Sequence, residues 1–175
     1  MARIVGYIAT SLDGFIAEPE ESLTWLTQRK DMELGEFDYN LFIKRIRTVV
    51  MGRATFDWLM RQDMAWPYPE QRSIVVTSRP VDVPASVETR SNVDALIAEL
   101  RALDDGDVWM LGGGRLQMAF IERGALDEIE IYVISALLGG GYPLFPPTGF
   151  RKEDLVLTAA NQLGAGCVRL HYRLS

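Results

Sequence analysis

The sequence predicts an α/β fold in three layers, with a mostly parallel central sheet, helices on both faces and a C-terminal antiparallel hairpin. Apolar runs rich in β-branched residues alternate along the chain with stretches of helical periodicity, as in sheets whose parallel strands are joined by helices. The C-terminal part instead has two strand-like runs around a glycine turn. The length of 175 residues suits one domain, residues 1–175, with one core.

The first half of the chain alternates strands and helices. The predicted strands are residues 4–10, 48–51 and 73–77. After the first strand, Asp13-Gly14 predicts a turn, and a polar loop follows with a short helical piece near Trp25. Apolar residues spaced three or four apart predict a helix over residues 37–46, and a second helix is expected over residues 53–60.

The second half repeats this alternation. Its clearest helix begins after Ser91, which stands with Asp94 in the spacing of a capping box. The helix carries apolar residues at i, i+3, i+4 and i+7, from Val93 to Leu100. The remaining predicted elements are strand 108–111, helix 115–123, strand 128–135, and hairpin strands 155–161 and 167–174.

The composition excludes several classes of function. With 18 basic and 24 acidic residues, the net charge of −6 predicts no binding to nucleic acid or to an anionic membrane. No apolar run is long enough to span a bilayer. Cys167 and His171 are the sole residues of their types, which excludes an intramolecular disulfide, the usual catalytic triads and a metal site of cysteines or histidines. We therefore expect a cytoplasmic protein that binds a small molecule.

Three predicted strand ends carry residues that suit an anionic ligand. In an open α/β sheet, ligands bind beyond the carboxyl ends of the parallel strands, where loops lead into helix N-termini. Glycines let the backbone approach a phosphate, and free N–H groups, hydroxyls and guanidinium groups bind it. The residues are Gly52, Arg53 and Thr55 after the second strand, Thr77, Ser78 and Arg79 after the third, and Gly112, Gly113, Gly114 and Arg115 after the fourth. Taken singly, each glycine also suits a plain turn.

The triple glycine matches neither of the common nucleotide-binding motifs. Gln117 stands where the dinucleotide fingerprint has its third glycine, and no Gly-Lys-Ser/Thr follows as it does in a P-loop. The hypothesis of an anionic ligand therefore depends on the three strand ends taken together.

These segments resemble the dihydrofolate reductase-like superfamily, and most closely its branch with the C-terminal reductase domain of riboflavin-biosynthesis proteins. The matching segments are residues 8–17, 48–56, 74–79, 111–114 and 138–145, which follow the order of the family over nearly the whole chain. The resemblance implies a dihydrofolate reductase-like fold. It also implies an NADPH-dependent reductase that transfers hydride to a pyrimidine- or pterin-like substrate, as 5-amino-6-(5-phosphoribosylamino)uracil reductase does.

The resemblance also assigns residues to each part of the cofactor. The nicotinamide would lie against the backbones of Ala9 and Ile16. The adenosine-side phosphates would be held by Gly52, Arg53 and Thr55, the 2′-phosphate by Thr77, Ser78 and Arg79, and the pyrophosphate by Gly113, Gly114, Arg115 and Leu116, with Gly112 in the same turn. No metal is implied.

The proton donor of such a reductase would be an acid on the helix that precedes the second strand. Glu36 and Asp38 are both candidates, and either acid would equally complement the dipole of a helix N-terminus. On a continuous helix the two lie about 200° apart, and Asp38 is nearer the apolar stripe of Leu41 and Phe42. We therefore predict Asp38 as the donor, with Glu36 as the alternative.

Two departures from the riboflavin reductases keep other functions open. Residues 56–59 replace the Asp-Asp-Pro element that usually follows the second glycine turn, and the zinc deaminase half of the bifunctional enzymes is missing. A dihydrofolate or pterin reductase, or a nucleotide-binding module without turnover, is the alternative.

Related reductases commonly pair, so a homodimer is also considered, with residues 131–134 either near its interface or in the core.

Overall fold

A central sheet and the helices on its two faces organise the fold. The computed structural model describes residues 1–29, 32–149, 152 and 154–174. The strands are β1 (Ile4–Ser11), β2 (Phe15–Ala17), β3 (Ile46–Gly52), β4 (Arg72–Val76), β5 (Val87–Arg90), β6 (Asp107–Gly112), β7 (Glu128–Ile134), β8 (Tyr142–Pro143), β9 (Val156–Gln162) and β10 (Val168–Arg173). The α-helices are α1 (Thr24–Thr27), α2 (Tyr39–Phe42), α3 (Arg53–Met60), α4 (Val93–Arg101) and α5 (Gly114–Ile121), and 3-10 helices cover Gly35–Phe37, Ile43–Arg45 and Gly164–Gly166.

Eight strands form one sheet in the order β5-β4-β3-β6-β1-β7-β10-β9. β1 pairs in parallel with β6 and β7, β3 with β4 and β6, and β4 with β5. β10 runs antiparallel between β7 and β9, which confirms the predicted mostly parallel sheet with an antiparallel hairpin at its C-terminal end. The carboxyl ends of the parallel strands therefore lie along one edge of the sheet.

Apolar layers on both faces of the sheet form the core. On one face, α4 and α5 pack Leu96, Leu100 and Phe120 against the strands. On the other face, Phe56 of α3 and Phe42 of α2 join a cluster of aromatic and aliphatic residues. The helices thus cover both faces of the sheet, so the three predicted layers are confirmed.

The continuous helix predicted over residues 37–46 is wrong. The chain instead forms a 3-10 turn at Gly35–Phe37, the single α-helical turn of α2 and a second 3-10 turn at Ile43–Arg45. Asp38 has extended backbone angles (φ −62°, ψ 143°), so no helix runs through it. Ile46, which completes the helical spacing, is fully buried as the first residue of β3.

Other differences concern short or capping elements. Asn92, and not Ser91, caps α4, because its side chain accepts a hydrogen bond from the N–H of Ala95 at 2.9 Å. The short strands β2, β5 and β8 are absent from the sequence prediction, since runs of two to four residues carry little periodicity.

Residues 131–134 belong to the core of this chain. They lie in β7, between β1 and β10, and Ile131, Tyr132 and Ile134 are buried. On β10, Arg169 is also buried, against Glu130 of β7. In the part of the chain that the structure describes, no helix is both long and apolar enough to cross a membrane.

Candidate functional site

Two glycine turns lie next to each other at the carboxyl ends of the parallel strands. Gly52 precedes α3 and Gly113 precedes α5, and their strands β3 and β6 are neighbours. A Cβ on Gly52 would lie 3.8 Å from the backbone of Gly112 and Gly113, and also 3.8 Å from the Cβ of Leu116. The N-termini of two eight-residue helices therefore converge, and their free N–H groups and dipoles favour an anion between them.

The three consecutive glycines differ in their backbone angles and in the space around their Cβ positions. Gly112 has φ +121°, where a side chain is strained, and its peptide bond to Gly113 is cis. A Cβ on Gly114 would lie 2.6 Å from the carbonyl oxygen of Pro143 and 2.8 Å from that of Leu144. Gly113 has an ordinary φ of −71°, and among the described residues only Thr55 Oγ1 lies near its Cβ position, at 3.6 Å. Its open face is therefore the one that can receive a ligand.

A cavity of about 400 Å³ lies at the carboxyl ends of β4 and β5. It is lined by Thr77, Ser78, Arg79, Pro80, Val81, Thr89, Arg90 and Ser91. The Thr77 hydroxyl donates to the carbonyl oxygen of Arg79 at 3.0 Å and shapes the turn. Arg79 is exposed, and its guanidinium has no hydrogen-bond partner among the described residues. The cavity thus combines hydroxyl groups with an available cation.

Arg90 is the second guanidinium at this cavity, but it is held by acidic partners. It contacts Glu99 at 2.8 Å and Glu88 at 2.7 Å, and Arg72 joins the same network through both glutamates. These arginines lower the pKa of Glu88 to about 2 and also lower the pKa of Glu99. The network holds the Arg90 guanidinium in place, so that among the described residues lining this cavity Arg79 is the charged one without an acidic partner.

Arg53 links the glycine turns to this cavity. Its Nε donates to Asp57 Oδ1 at 2.7 Å, and its terminal nitrogen donates to the carbonyl oxygen of Pro80 at 3.3 Å. Because Pro80 follows the Thr77–Arg79 turn, the predicted residues of these two strand ends form one continuous surface. Arg115, at the start of α5, is exposed and has no ion-pair partner within the described ranges.

The end of β1 is tied to the glycine-rich segment 138–145. The carboxylate of Asp13 accepts hydrogen bonds from the Ser11 hydroxyl at 2.6 Å and from the N–H groups of Leu138 and Gly139 at 3.1 and 2.8 Å. These donors stabilise the charged form and lower the pKa of Asp13 to about 2. Asp13 is therefore more than a turn residue, because it anchors a segment that is distant along the chain.

Segment 138–145 forms a wall between β2 and α5. A Cβ on Gly141 would overlap the carbonyl oxygen of Ala17, so glycine lets β8 pair closely with β2. At its other end, the carbonyl oxygens of Pro143 and Leu144 face Gly114. Ile16 lies in β2 and packs against the core, next to this wall. The strand carrying Ala9 and the strand carrying Ile16 thus occupy neighbouring positions beside the glycine turns.

The two acids predicted as proton donors do not lie on one helix. Asp38 caps α2, and its Oδ1 accepts from the backbone N–H and the side-chain amide of Asn40, both at 2.8 Å. Glu36 is exposed on the preceding 3-10 turn. The helical-face argument for Asp38 is therefore wrong, because the helix that it assumes is interrupted at Asp38 itself.

A pair of tyrosines holds this acidic segment over the sheet. The hydroxyls of Tyr7 and Tyr132 both donate to the carbonyl oxygen of Phe37, at 3.1 and 3.2 Å. Burial raises the pKa of Tyr7 to about 12 and also raises that of Tyr132. Beneath them, Glu130 pairs with Arg169 at 2.8 Å. The position of Asp38 is therefore set through its neighbour Phe37 by β1 and β7.

A second cavity, of about 460 Å³, lies between α3 and the segment that leads to α1. Trp58 Nε1 donates to the carbonyl oxygen of Glu21 at 2.9 Å, and Arg61 forms an ion pair with the Glu21 carboxylate. Thr24, Thr27 and Gln62 also line this cavity. Its walls offer both hydrogen-bond donors and acceptors.

Comparison with known proteins identifies the family. The model of the RibD C-terminal domain matches residues 3–169. The chain belongs to the RibD C-terminal domain family. It is 33% identical over 172 residues to the uncharacterized protein YwjB of Bacillus subtilis (strain 168), which covers 97% of each chain.

Solved structures agree with this family. A putative riboflavin biosynthesis protein from Shewanella sp. PV-4 is 27% identical with a TM-score of 0.84, covering 100% of this chain and 99% of that one. A dihydrofolate reductase from Enterococcus faecalis, complexed with NADP(H), has a TM-score of 0.67 at 19% identity, covering 99% and 96% of the two chains. This second likeness confirms the dihydrofolate reductase-like fold, and the family relationship indicates a function of the reductase type.

Within this RibD-type domain, the structure adds residues that the sequence analysis missed. Arg90 and Ser91 line the cavity beside Arg79, and Asp13 anchors the wall. Arg90 and Ser91 belong to a short polar stretch that precedes the capped helix α4. The sequence did not predict a strand end there, because the four residues of β5 are too few to show an alternating pattern. No local signal pointed to Asp13, since Leu138 is 125 residues away.

Proposed function

We propose that this protein is an NADPH-dependent oxidoreductase that transfers hydride to a small heterocycle of pyrimidine or pterin type. The observation that carries the proposal is the continuous surface formed by the Gly52 and Gly113 turns, Arg53 and the cavity at Thr77–Arg79. Two converging helix N-termini suit a pyrophosphate, and hydroxyls with a free guanidinium suit a phosphate monoester. A dinucleotide with an extra phosphate carries both groups.

The residues around the glycine turns fit such a cofactor. Gly113 presents an open face beside Thr55, which a side chain on Gly113 would partly fill. Gly52, Thr55, Gly113 and Leu116 would hold the phosphates from both helix N-termini. The bound cofactor would supply the hydride, and the protein would position it.

Arg79 is the residue that would select NADPH over NADH. Its guanidinium is exposed and without a partner in the described part of the chain, beside the hydroxyl groups of Thr77 and Ser78. A charge-assisted hydrogen bond to the 2′-phosphate would contribute about 1.5–3 kcal/mol. The Arg53 guanidinium already forms an ion pair with Asp57, so it would contribute less to binding the 2′-phosphate.

The acceptor would bind beside the nicotinamide, within reach of the acid that protonates it. The backbones of Ala9 and Ile16 would flank the nicotinamide. Asp38 or Glu36 would supply the proton.

A nucleotide-binding module without turnover is the second candidate function. The positions of the two candidate proton donors favour this module, because Asp38 caps α2 and Glu36 is exposed. NADPH oxidation with a panel of pterins and ribosylaminopyrimidines, beside a binding titration with NADPH, separates the two. Oxidation with any of these acceptors supports the reductase, whereas binding without oxidation across the panel supports the module. A flat titration excludes both functions.

A further inference from the structure

Phe37 is held by residues of three strands of the central sheet. Its carbonyl oxygen accepts from the Tyr7 hydroxyl of β1 at 3.1 Å and from the Tyr132 hydroxyl of β7 at 3.2 Å. The guanidinium of Arg169, on β10, lies over its ring at 4.1 Å from the ring centroid. Asp38 is the next residue along the chain, so these contacts act directly on its backbone.

The groups behind these contacts form a buried polar network. Tyr132, Glu130 and Arg169 are all buried. Glu130 Oε2 lies 3.1 Å from the Tyr132 hydroxyl and 2.8 Å from Arg169 Nε. Apolar residues would stabilise the sheet at least as well, because burying charged groups costs free energy even when they are paired. Outside the sheet, the network contacts Phe37 and Arg45, which flank α2. The network therefore acts on the segment around α2 and not on the sheet alone.

The same strands carry the proposed nicotinamide site. Ala9 lies two residues after Tyr7, on the same face of β1, and its register partner on β7 is Tyr132. Ala9 and Phe37 both pack against the buried cluster that contains Tyr132. The two hydroxyls therefore hold the acidic segment over the part of the sheet where the nicotinamide would lie. This step rests on the proposed function.

Asp38 depends on this support because its own segment is short. A 3-10 turn precedes it, and the single turn of α2 follows it. Its Oδ1 accepts from the backbone N–H and the side-chain amide of Asn40, both at 2.8 Å, whereas Oδ2 has no hydrogen bond among the described residues. Oδ2 is therefore the oxygen that can carry a proton for transfer. The direction in which it points depends on the backbone at Phe37.

We propose that Tyr7 and Tyr132 are positioning residues for proton transfer, because their hydroxyls hold the backbone at Phe37 and so place the Asp38 carboxyl beside the acceptor. In this step the Oδ2 proton passes to the acceptor nitrogen, where the electron pair of the added hydride would otherwise leave a negative charge, and the carboxylate regains a proton from water. Tyr7 is the stronger support, since the single hydroxyl proton of Tyr132 is shared with Glu130.

Removal of the two hydroxyls tests the proposal. The double variant Tyr7→Phe/Tyr132→Phe should lower kcat about tenfold or more, because a small displacement of a reacting group is costly. Tyr7→Phe alone should lower kcat less, and the dissociation constant for NADPH should not change in either variant. Tyr39→Phe is the matched control and should keep kcat. Its ring lies 6.3 Å from that of Tyr7, and its hydroxyl has no hydrogen bond within the described part of the chain.

Two further readouts separate positioning from a general loss of stability. When Asp38 is already replaced, in Asp38→Asn, the double tyrosine substitution should cause no further fall in kcat, because the hydroxyls act through Asp38. In the double variant with Asp38 intact, amide hydrogen exchange should become faster at Asp38, Leu41 and Phe42, whose N–H groups are bonded within this segment. Exchange in β1 and β7 should not rise to match.

Three results would overturn the proposal. Unchanged kcat in the double variant shows that the hydroxyls do not position the donor. An equal fall in kcat with and without Asp38 shows that their effect does not pass through that carboxyl. Unchanged exchange at Asp38, Leu41 and Phe42 shows that the segment does not depend on them. Absence of turnover in the unmodified chain has a different meaning, since it overturns the proposed reductase itself and this proposal with it.

Discussion

Thr55 Oγ1 lies 3.6 Å from the position that a Cβ on Gly113 would occupy. Thr55, on α3, therefore leaves room for a methyl group on Gly113, in the turn before α5. By contrast, the next glycine, Gly114, has two carbonyl oxygens within 3 Å of its Cβ position. Packing therefore requires glycine at position 114, whereas it leaves space at Gly113, where we propose that a ligand binds.

Gly113→Ala should raise the dissociation constant for NADPH at least tenfold while shifting the melting temperature little. The added methyl fits beside Thr55 but occupies the face where the pyrophosphate would bind. Isothermal titration and thermal unfolding measure the two effects. Gly114→Ala is the control and should lower the melting temperature clearly, because its methyl would collide with the backbone at Pro143. Unchanged NADPH affinity in folded Gly113→Ala would show that Gly113 is only a turn residue.

Arg79→Ala should reduce the preference for NADPH over NADH roughly tenfold or more. The substitution removes the free guanidinium of the β4–β5 cavity, and a charge-assisted hydrogen bond is typically worth about 1.5–3 kcal/mol. The measurement is the ratio of the two dissociation constants. Arg173→Ala is a suitable control, because this exposed arginine lies in β10, opposite Glu128 of β7 and several strands away from β4 and β5. Equal affinity of the unmodified protein for both cofactors would contradict the assignment.

Asp38→Asn should lower turnover by about 10²-fold while NADPH binding stays intact, the scale expected for loss of a general acid. Asparagine is also a good helix cap, so α2 should keep its start. Steady-state rates with the acceptor identified by the panel provide the measurement, and Glu36→Gln is the paired variant with little expected effect. Normal turnover in Asp38→Asn would move the role to Glu36, to water or to no side chain.

Asp13→Asn should lower the melting temperature at neutral pH by more than it does near pH 2. The folded-state pKa of Asp13 is lowered to about 2, below the unfolded value of about 3.9. Its stabilisation is therefore present above pH 4 and is lost as the pH falls through 2, where the carboxylate is protonated. Unfolding curves of both proteins at pH 7, 4 and 2 test this. If the melting temperatures of the two proteins differ by the same amount at all three pH values, the stabilisation comes from the shape of the Asp13 side chain and not from its charge.

The sequence by itself determined the elements that depend on local periodicity. The helix predicted over residues 53–60 is α3, and the predicted strands 4–10, 73–77 and 108–111 correspond to β1, β4 and β6. The three strand ends also lie on one edge, because parallel strands always bring their carboxyl ends together. Each of these features is encoded within a few neighbouring residues or follows from the topology that such residues specify.

Only the tertiary structure decided which residues act together across long separations. Asp13 binds the N–H of Leu138, and Tyr7 and Tyr132 share the carbonyl oxygen of Phe37. The need for glycine at position 114 likewise depends on where segment 138–145 packs. These contacts are set by the register of strands and by the packing of loops far apart in the chain. The residues that stabilise one another in these contacts are distant in sequence, so no local sequence pattern predicts the contacts.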